Sequence, residues 1–167
     1  NSRLLRPANY PPGAPGSGVG VYDTAPGPRL AVLNLQGRTF MQELDCPFRK
    51  ADELLAVIPE DVRLIIVDFH AEATSEKIAL ARYLDGRVSA VLGTHTHVQT
   101  NDARILSHGT AAMTDVGMCG VHDSILGMDE VPILERFLTG LPTRFTLAKG
   151  KAELRGALLE LDPESGL

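Results

Sequence analysis

Val62-Arg63-Leu64-Ile65-Ile66-Val67-Asp68-Phe69-His70 and Val88-Ser89-Ala90-Val91-Leu92-Gly93-Thr94-His95-Thr96-His97 are two apolar runs that each lead into histidine. Val62 to Phe69 is nearly continuous apolar sequence, the pattern of a strand buried on both faces, and Val88 to Gly93 is a second such strand. Between them Thr74 is placed to cap a helix, with Glu76 in its positive first turn. Ile78, Ala81 and Leu84 give that helix an apolar stripe. Strand, loop, helix and strand in this order make a βαβ unit, whose strands are parallel neighbours joined by a right-handed crossover. The carboxyl ends of both strands then share one sheet edge, where open α/β sheets hold their ligands.

Histidines stand at that edge. His70 ends the first run, and His95 and His97 follow the second. A strand puts residues i and i+2 on one face, so His95 and His97 are expected to point into the same space. Imidazole is the commonest side-chain metal ligand. A hydrolytic centre needs neutral imidazoles and carboxylates that hold an ion while leaving room for water and substrate. His70, His95 and His97 are therefore candidate metal ligands, a set that on its own suits a mononuclear zinc hydrolase. Asp68 either orients an imidazole from behind or is an ordinary strand-end carboxylate. Glu72 lies near the site in sequence, whereas Glu76 reads as a helix-start charge.

The remainder of the chain completes an α/β class with a mixed sheet. Residues 7 to 28 are rich in proline and glycine around a short strand at Val19 to Tyr22. Arg29 to Gln36 reads as a strand, and a helix opens at Pro47 and is closed by Pro59. Ala103 to Leu106 and Ala111 to Thr114 suggest a hairpin, Asp115 to Gly127 a glycine-rich loop. Val131, Leu134, Phe137 and Leu138 mark a helix ended by Gly140 and Pro142, and residues 144–148 and 153–161 a final strand pair. The length of 167 residues suits one domain, 1–167. A net charge of −5 argues against a stable nucleic-acid complex, which needs clustered Lys and Arg. No apolar run approaches the roughly 20 residues that span a bilayer, and the first residues carry no signal-peptide pattern, so a cytoplasmic location is expected. Cys46 and Cys119 are expected to be free thiols.

Four segments in order carry a resemblance. Asp68-Phe69-His70-Ala71-Glu72-Ala73-Thr74-Ser75-Glu76-Lys77, Gly93-Thr94-His95-Thr96-His97-Val98, Thr114-Asp115-Val116-Gly117-Met118 and His122-Asp123-Ser124-Ile125-Leu126-Gly127 resemble the YmdB family of calcineurin-type metallophosphoesterases. Arg6-Pro7-Ala8-Asn9-Tyr10 is similar to the stretch that follows that family's Asn-His motif. The resemblance implies an α/β/β/α sandwich with mixed sheets and a site of two metal ions, iron or manganese with zinc as an alternative. It implies that His70 and His95 bind one ion and His97 the other. In such centres the ions lie roughly 3.5–4 Å apart and act on both the attacking and the leaving oxygen. The implied activity is hydrolysis of small phosphodiesters such as 2′,3′-cyclic nucleotides, with a homo-oligomer compatible with it.

The family's amino-terminal Asp motif, its Glu-Asn pair and its Gly-Asn-His motif have no counterpart in the sequence. They are expected to precede Asn1, and with them the general acid, so the chain reads as an incomplete, inactive portion of a family member. His122 is a candidate contact for substrate phosphate, weighed against a purely architectural role in its loop. His108 is expected in an exposed hairpin turn. Rival readings are a capsule-synthesis-type metallophosphatase, which the Asp68–Thr74 run disfavours, and a metal-dependent amidohydrolase, which the order of elements disfavours. A non-catalytic metal- or nucleotide-binding module is the rival from another class.

Overall fold

The computed structural model describes residues 3–167. In chain order, β1 (Val19–Tyr22) runs antiparallel to β2 (Leu30–Gln36), and β2 runs parallel to β3 (Leu64–His70). Next to β3 lies β4 (Ala90–Thr94), also parallel, with Ile66 opposite Ala90 and His70 opposite Thr94. The hairpin of β5 (Arg104–Ile105) and β6 (Ala111–Met113) adds β6 parallel to β4 and leaves β5 at the edge. Among the described residues these strands form a six-stranded mixed sheet in the order β1-β2-β3-β4-β6-β5. A separate two-stranded ribbon pairs β7 (Gly120–Val121) with β8 (Ala152–Glu153). The helices are α1 (Pro47–Leu55), α2 (Thr74–Tyr83) and α3 (Glu130–Thr139). No helix among the described residues is long and apolar enough to cross a membrane.

The βαβ reading of β3, α2 and β4 is the arrangement found, but the burial of β3 is not that of a two-sided strand. Ile65, Val67 and Phe69 are buried while Leu64, Ile66, Asp68 and His70 are half-buried. The buried set joins Leu33 and Leu35 of β2, Val91 of β4, Ala51 of α1 and Leu80 and Ala81 of α2 in one cluster. Both helices draw on the same sheet face, which explains the alternation along what looks in sequence like a continuous apolar run.

Helix starts and the last strands differ in detail from expectation. Ala73, not Thr74, is the N-cap of α2, and no side chain caps it. Glu76 instead reaches out of the first turn and accepts from the backbone N–H groups of Arg38 and Thr39, tying the loop after β2 to the helix. α1 ends at Leu55, and Pro59 serves the turn that follows by accepting from the Val62 amide. Residues 144–148 and 153–161 do not pair with each other: β8 finds β7, and Leu147 bridges Met128.

The four parallel strands end at Gln36, His70, Thr94 and Met113 on one edge of the sheet. The loops that leave this edge carry the candidate site.

Candidate metal centre

β4 stops at Thr94, and the next residues leave strand geometry at once. His95 has φ 119° and His97 φ 67°, both in the left-handed half of backbone space that side chains other than glycine rarely occupy. His95 and His97 therefore do not share a strand face as their spacing suggested, because neither lies in the strand. Gly93 sets up this exit. A Cβ there would stand 1.8 Å from the Thr114 carbonyl oxygen and 3.1 Å from Lys77 Cδ, so only glycine lets β4 approach the 114–116 segment and the lysine stem. The Val116 amide closes the contact by donating to the Gly93 carbonyl at 2.9 Å.

Beneath the loop lies a buried ion pair, Lys77 Nζ to Asp115 Oδ2 at 3.0 Å, with side chains 3% and 1% exposed. The same Asp115 oxygen accepts from the Thr96 amide at 2.9 Å and the Thr96 hydroxyl at 2.8 Å. Its other oxygen accepts from the Gly117 amide at 2.9 Å. Burial pushes the Asp115 carboxyl up, but the Gly117 and Thr96 amides, the Lys77 ammonium and the Thr96 hydroxyl together hold it below the usual carboxylate range.

Above the loop, His70 Nε2 faces His95 Nδ1 at 3.0 Å, the rings edge-to-face at 80°. The outer nitrogens are also engaged. His70 Nδ1 lies 3.0 Å from Thr94 Oγ1, and His95 Nε2 lies 2.8 Å from Glu72 Oε2. The donors can be assigned from the end that admits one answer. A carboxylate only accepts, so His95 Nε2 donates to Glu72, and in the neutral ring the Nδ1 lone pair then faces His70. His70 donates Nε2–H to that lone pair, and the Thr94 hydroxyl donates to His70 Nδ1. Burial, followed by the neighbouring His95, lowers the His70 pKa and so favours its neutral form.

The pair fits part of a metal site. Two imidazoles with inward nitrogens 3.0 Å apart can share one proton or one cation, and each outer nitrogen has an oxygen beside it, Glu72 for His95 and Thr94 for His70. Among the described residues no group of three or more His, Cys, Asp or Glu side chains is arranged to hold an ion. His97 is exposed, and its ring makes no hydrogen bond or ion pair among the described residues, so the pair is His70 and His95 alone.

Asp68 does not hold an imidazole: it accepts from Asn34 Nδ2 at 2.7 Å on the neighbouring strand, and burial raises its pKa against that bond. His122 is away from the histidine pair in its contacts, its Nδ1 accepting from Arg155 at 2.6 Å beside Glu153. His108 is exposed and caps its turn with Asp85. Cys46 and Cys119 are free thiols. Sequence reasoning missed Thr94, Lys77 and Asp115 as participants. Lys77 and Asp115 carried the one available signal, a helix lysine and a loop aspartate inside the segments already singled out.

Comparisons with known proteins show which family and fold the chain shares. The YmdB-like protein family model matches residues 1–167. A 2′,3′-cyclic-nucleotide 2′-phosphodiesterase of Bacillus subtilis (strain 168) is 59% identical over 162 residues, 97% of this chain and 61% of that protein. A crystal structure of a hypothetical protein from Thermus thermophilus matches with TM-score 0.83 and 53% identity, covering 89% of this chain and 57% of that one. The crystal structure of a phosphatase from Mycoplasma pneumoniae matches with TM-score 0.80 and 34% identity, covering 91% and 56%. The chain thus spans less than two thirds of the length of each of these relatives.

Proposed function

This chain belongs to the YmdB-like protein family, and we propose that it serves a metal-dependent phosphodiesterase acting on small phosphodiesters such as 2′,3′-cyclic nucleotides. The observation that carries the proposal is the facing of His70 Nε2 and His95 Nδ1 at 3.0 Å on the sheet edge. The Bacillus subtilis relative, named for 2′,3′-cyclic nucleotides, supports the substrate class.

In this reading His70 and His95 hold one ion and His97 contributes to a second, with iron or manganese favoured over zinc. Bound metal supplies charge neutralisation at the phosphoryl oxygens and a lowered pKa for water. The chain's own residues prepare the nitrogens. Glu72 keeps the His95 proton on Nε2, leaving Nδ1 as a ligand. The Thr94 hydroxyl accepts as readily as it donates, so His70 can shift its proton to Nδ1 and free Nε2. Glu72 thus holds His95 in the tautomer that ligation requires, and Thr94 admits that tautomer at His70. His122 is the candidate contact for substrate phosphate, with the Arg155 guanidinium beside it supplying positive charge. The 167 residues act as one domain. Free Cys46 and Cys119 fit a reducing compartment, the cytoplasm.

The test is hydrolysis of bis-p-nitrophenyl phosphate and 2′,3′-cyclic AMP by the protein carrying this chain, loaded with Mn²⁺. Chelation should abolish turnover, and His95→Ala should lower it by more than about 100-fold, beyond the 10- to 100-fold typical of outer partners. Turnover that survives both would remove the assignment.

A further inference from the structure

We propose that Asp115, its charge balanced by Lys77, is the positioning residue that holds the His95-Thr96-His97 loop in the shape that presents its imidazoles. The inference rests on the reading of His95 and His97 as metal ligands.

The loop needs an external hold. His95 and His97 sit at φ 119° and 67°, and residues in such sparsely populated regions persist only where their surroundings over-determine them. Thr96, between them, is the residue that is held. Its amide and its hydroxyl both donate to Asp115 Oδ2, at 2.9 and 2.8 Å. Two bonds from one residue to one oxygen fix where Thr96 sits and how its peptide is turned. That peptide joins it to His95, and its orientation sets the backbone on either side.

The carboxylate is itself anchored on three sides. Its second oxygen takes the Gly117 amide at 2.9 Å. The backbone N–H of Asp115 donates to Thr100 Oγ1 at 3.0 Å, and its carbonyl accepts the Thr100 amide at 3.0 Å. Lys77 comes from α2, across the sheet edge, to complete the set at 3.0 Å. An ammonium that is 3% exposed would be costly without a partner, and Asp115 is its hydrogen-bond partner. Gly93 leaves the room through which the lysine stem reaches it. The clamp therefore links helix, strand and loop at the residue between the two histidines. Thr94 and Glu72 fix the rings of the facing pair, whereas Asp115 fixes the backbone from which the His95 and His97 rings project.

Three variants separate a positioning role from a merely structural one. Thr96→Val deletes the hydroxyl bond and leaves the buried ion pair whole. Asp115→Asn combined with Lys77→Met removes both charges together, so no lone ammonium is left buried. Asp85→Asn is the control: it loosens the Ser107–Thr110 turn, which Asp85 ties through Ser107, His108 and Thr110. Mn²⁺ affinity is measured by equilibrium dialysis. Amide exchange at position 96 and the ¹⁵N resonances of the histidine rings are followed in metal-free protein, and circular dichroism confirms folding.

The expected result is a loss of about 10- to 100-fold in Mn²⁺ affinity for Thr96→Val and for the double variant. Faster exchange at position 96 and shifted His95 ring resonances should accompany it. Asp85→Asn should melt at a lower temperature with Mn²⁺ affinity unchanged. Parent-like affinity, exchange and ring resonances in both loop variants would overturn the proposal. If His70→Ala and His95→Ala bind Mn²⁺ as the parent does, the ligand reading fails instead. Exchange at position 96 and the metal-free ring resonances then decide the clamp by themselves.

Discussion

Thr96 donates two hydrogen bonds to one buried carboxylate, and this contact spans 19 residues of sequence. The carboxylate's titration carries a prediction. Burial raises the Asp115 pKa, but the Gly117 and Thr96 amides and the Lys77 ammonium outweigh it, leaving the group below its ordinary value of 3.8. The folded protein therefore binds this proton less readily than the unfolded chain. Asp115 contributes stability at pH values above 3.8, and the contribution fades as pH falls through the lower folded value. Urea unfolding of the parent and of Asp115→Asn should differ at neutral pH and converge in acid. A difference that stays constant down to about pH 2 would mean that the ionised carboxylate is not what stabilises the loop. At this scale βαβ topology led the sequence to expect His70 and His95 at one edge, where the structure has their rings facing, whereas His97 was expected beside them from strand spacing and stands exposed. The sequence did not reveal which nitrogens face each other. That depends on the left-handed turn at His95 and on its partner Glu72 and the loop's partner Asp115, each about 20 residues from His95, which no local periodicity encodes.

α3 illustrates how an element can be readable while its surroundings are not. Its apolar spacing and the Gly140 stop mark the helix, and Gly140 does end it at φ 71° with its amide donating to the Arg136 carbonyl. Yet Val131, Phe137 and Leu138 are 67%, 81% and 85% exposed, and Ile133 is the buried position of the helix. With so little packing, the caps carry much of what holds this helix. Asp129 accepts from the Val131 amide at 3.0 Å, and Asp129→Ala should cost the helix about 1 kcal/mol. The loss should appear as faster amide exchange confined to 130–139, with the main melting transition in place. Unchanged exchange there would show that the cap is not what holds α3. The opposite case is α2, whose start the sequence places at Thr74. There Ala73 occupies the cap position and Glu76 serves the loop after β2, a choice made by tertiary contact and not by local propensity.

Across the whole molecule, the parallel pairing of β3 with β4 followed from the order of strand, helix and strand, whereas the one-sidedness of the core did not. Phe69 and Val67 are fully buried against α1 and α2, and Ile66 on the same strand is half-buried on the other face. Phe69→Ala should therefore cost about 3–5 kcal/mol, and Ile66→Ala only about 1–2 kcal/mol. Equal losses in urea unfolding would contradict a core packed on one face. The sheet register sets His70 beside Thr94 and so brings the start of the His95 loop next to His70. The most direct test of the account is equilibrium dialysis of Mn²⁺ against the folded protein, His70→Ala and His95→Ala. The parent is expected to bind Mn²⁺, and each substitution to weaken binding by more than about 100-fold. Binding by both variants at the parent's strength would contradict it, leaving the two imidazoles as a hydrogen-bonded pair and nothing more.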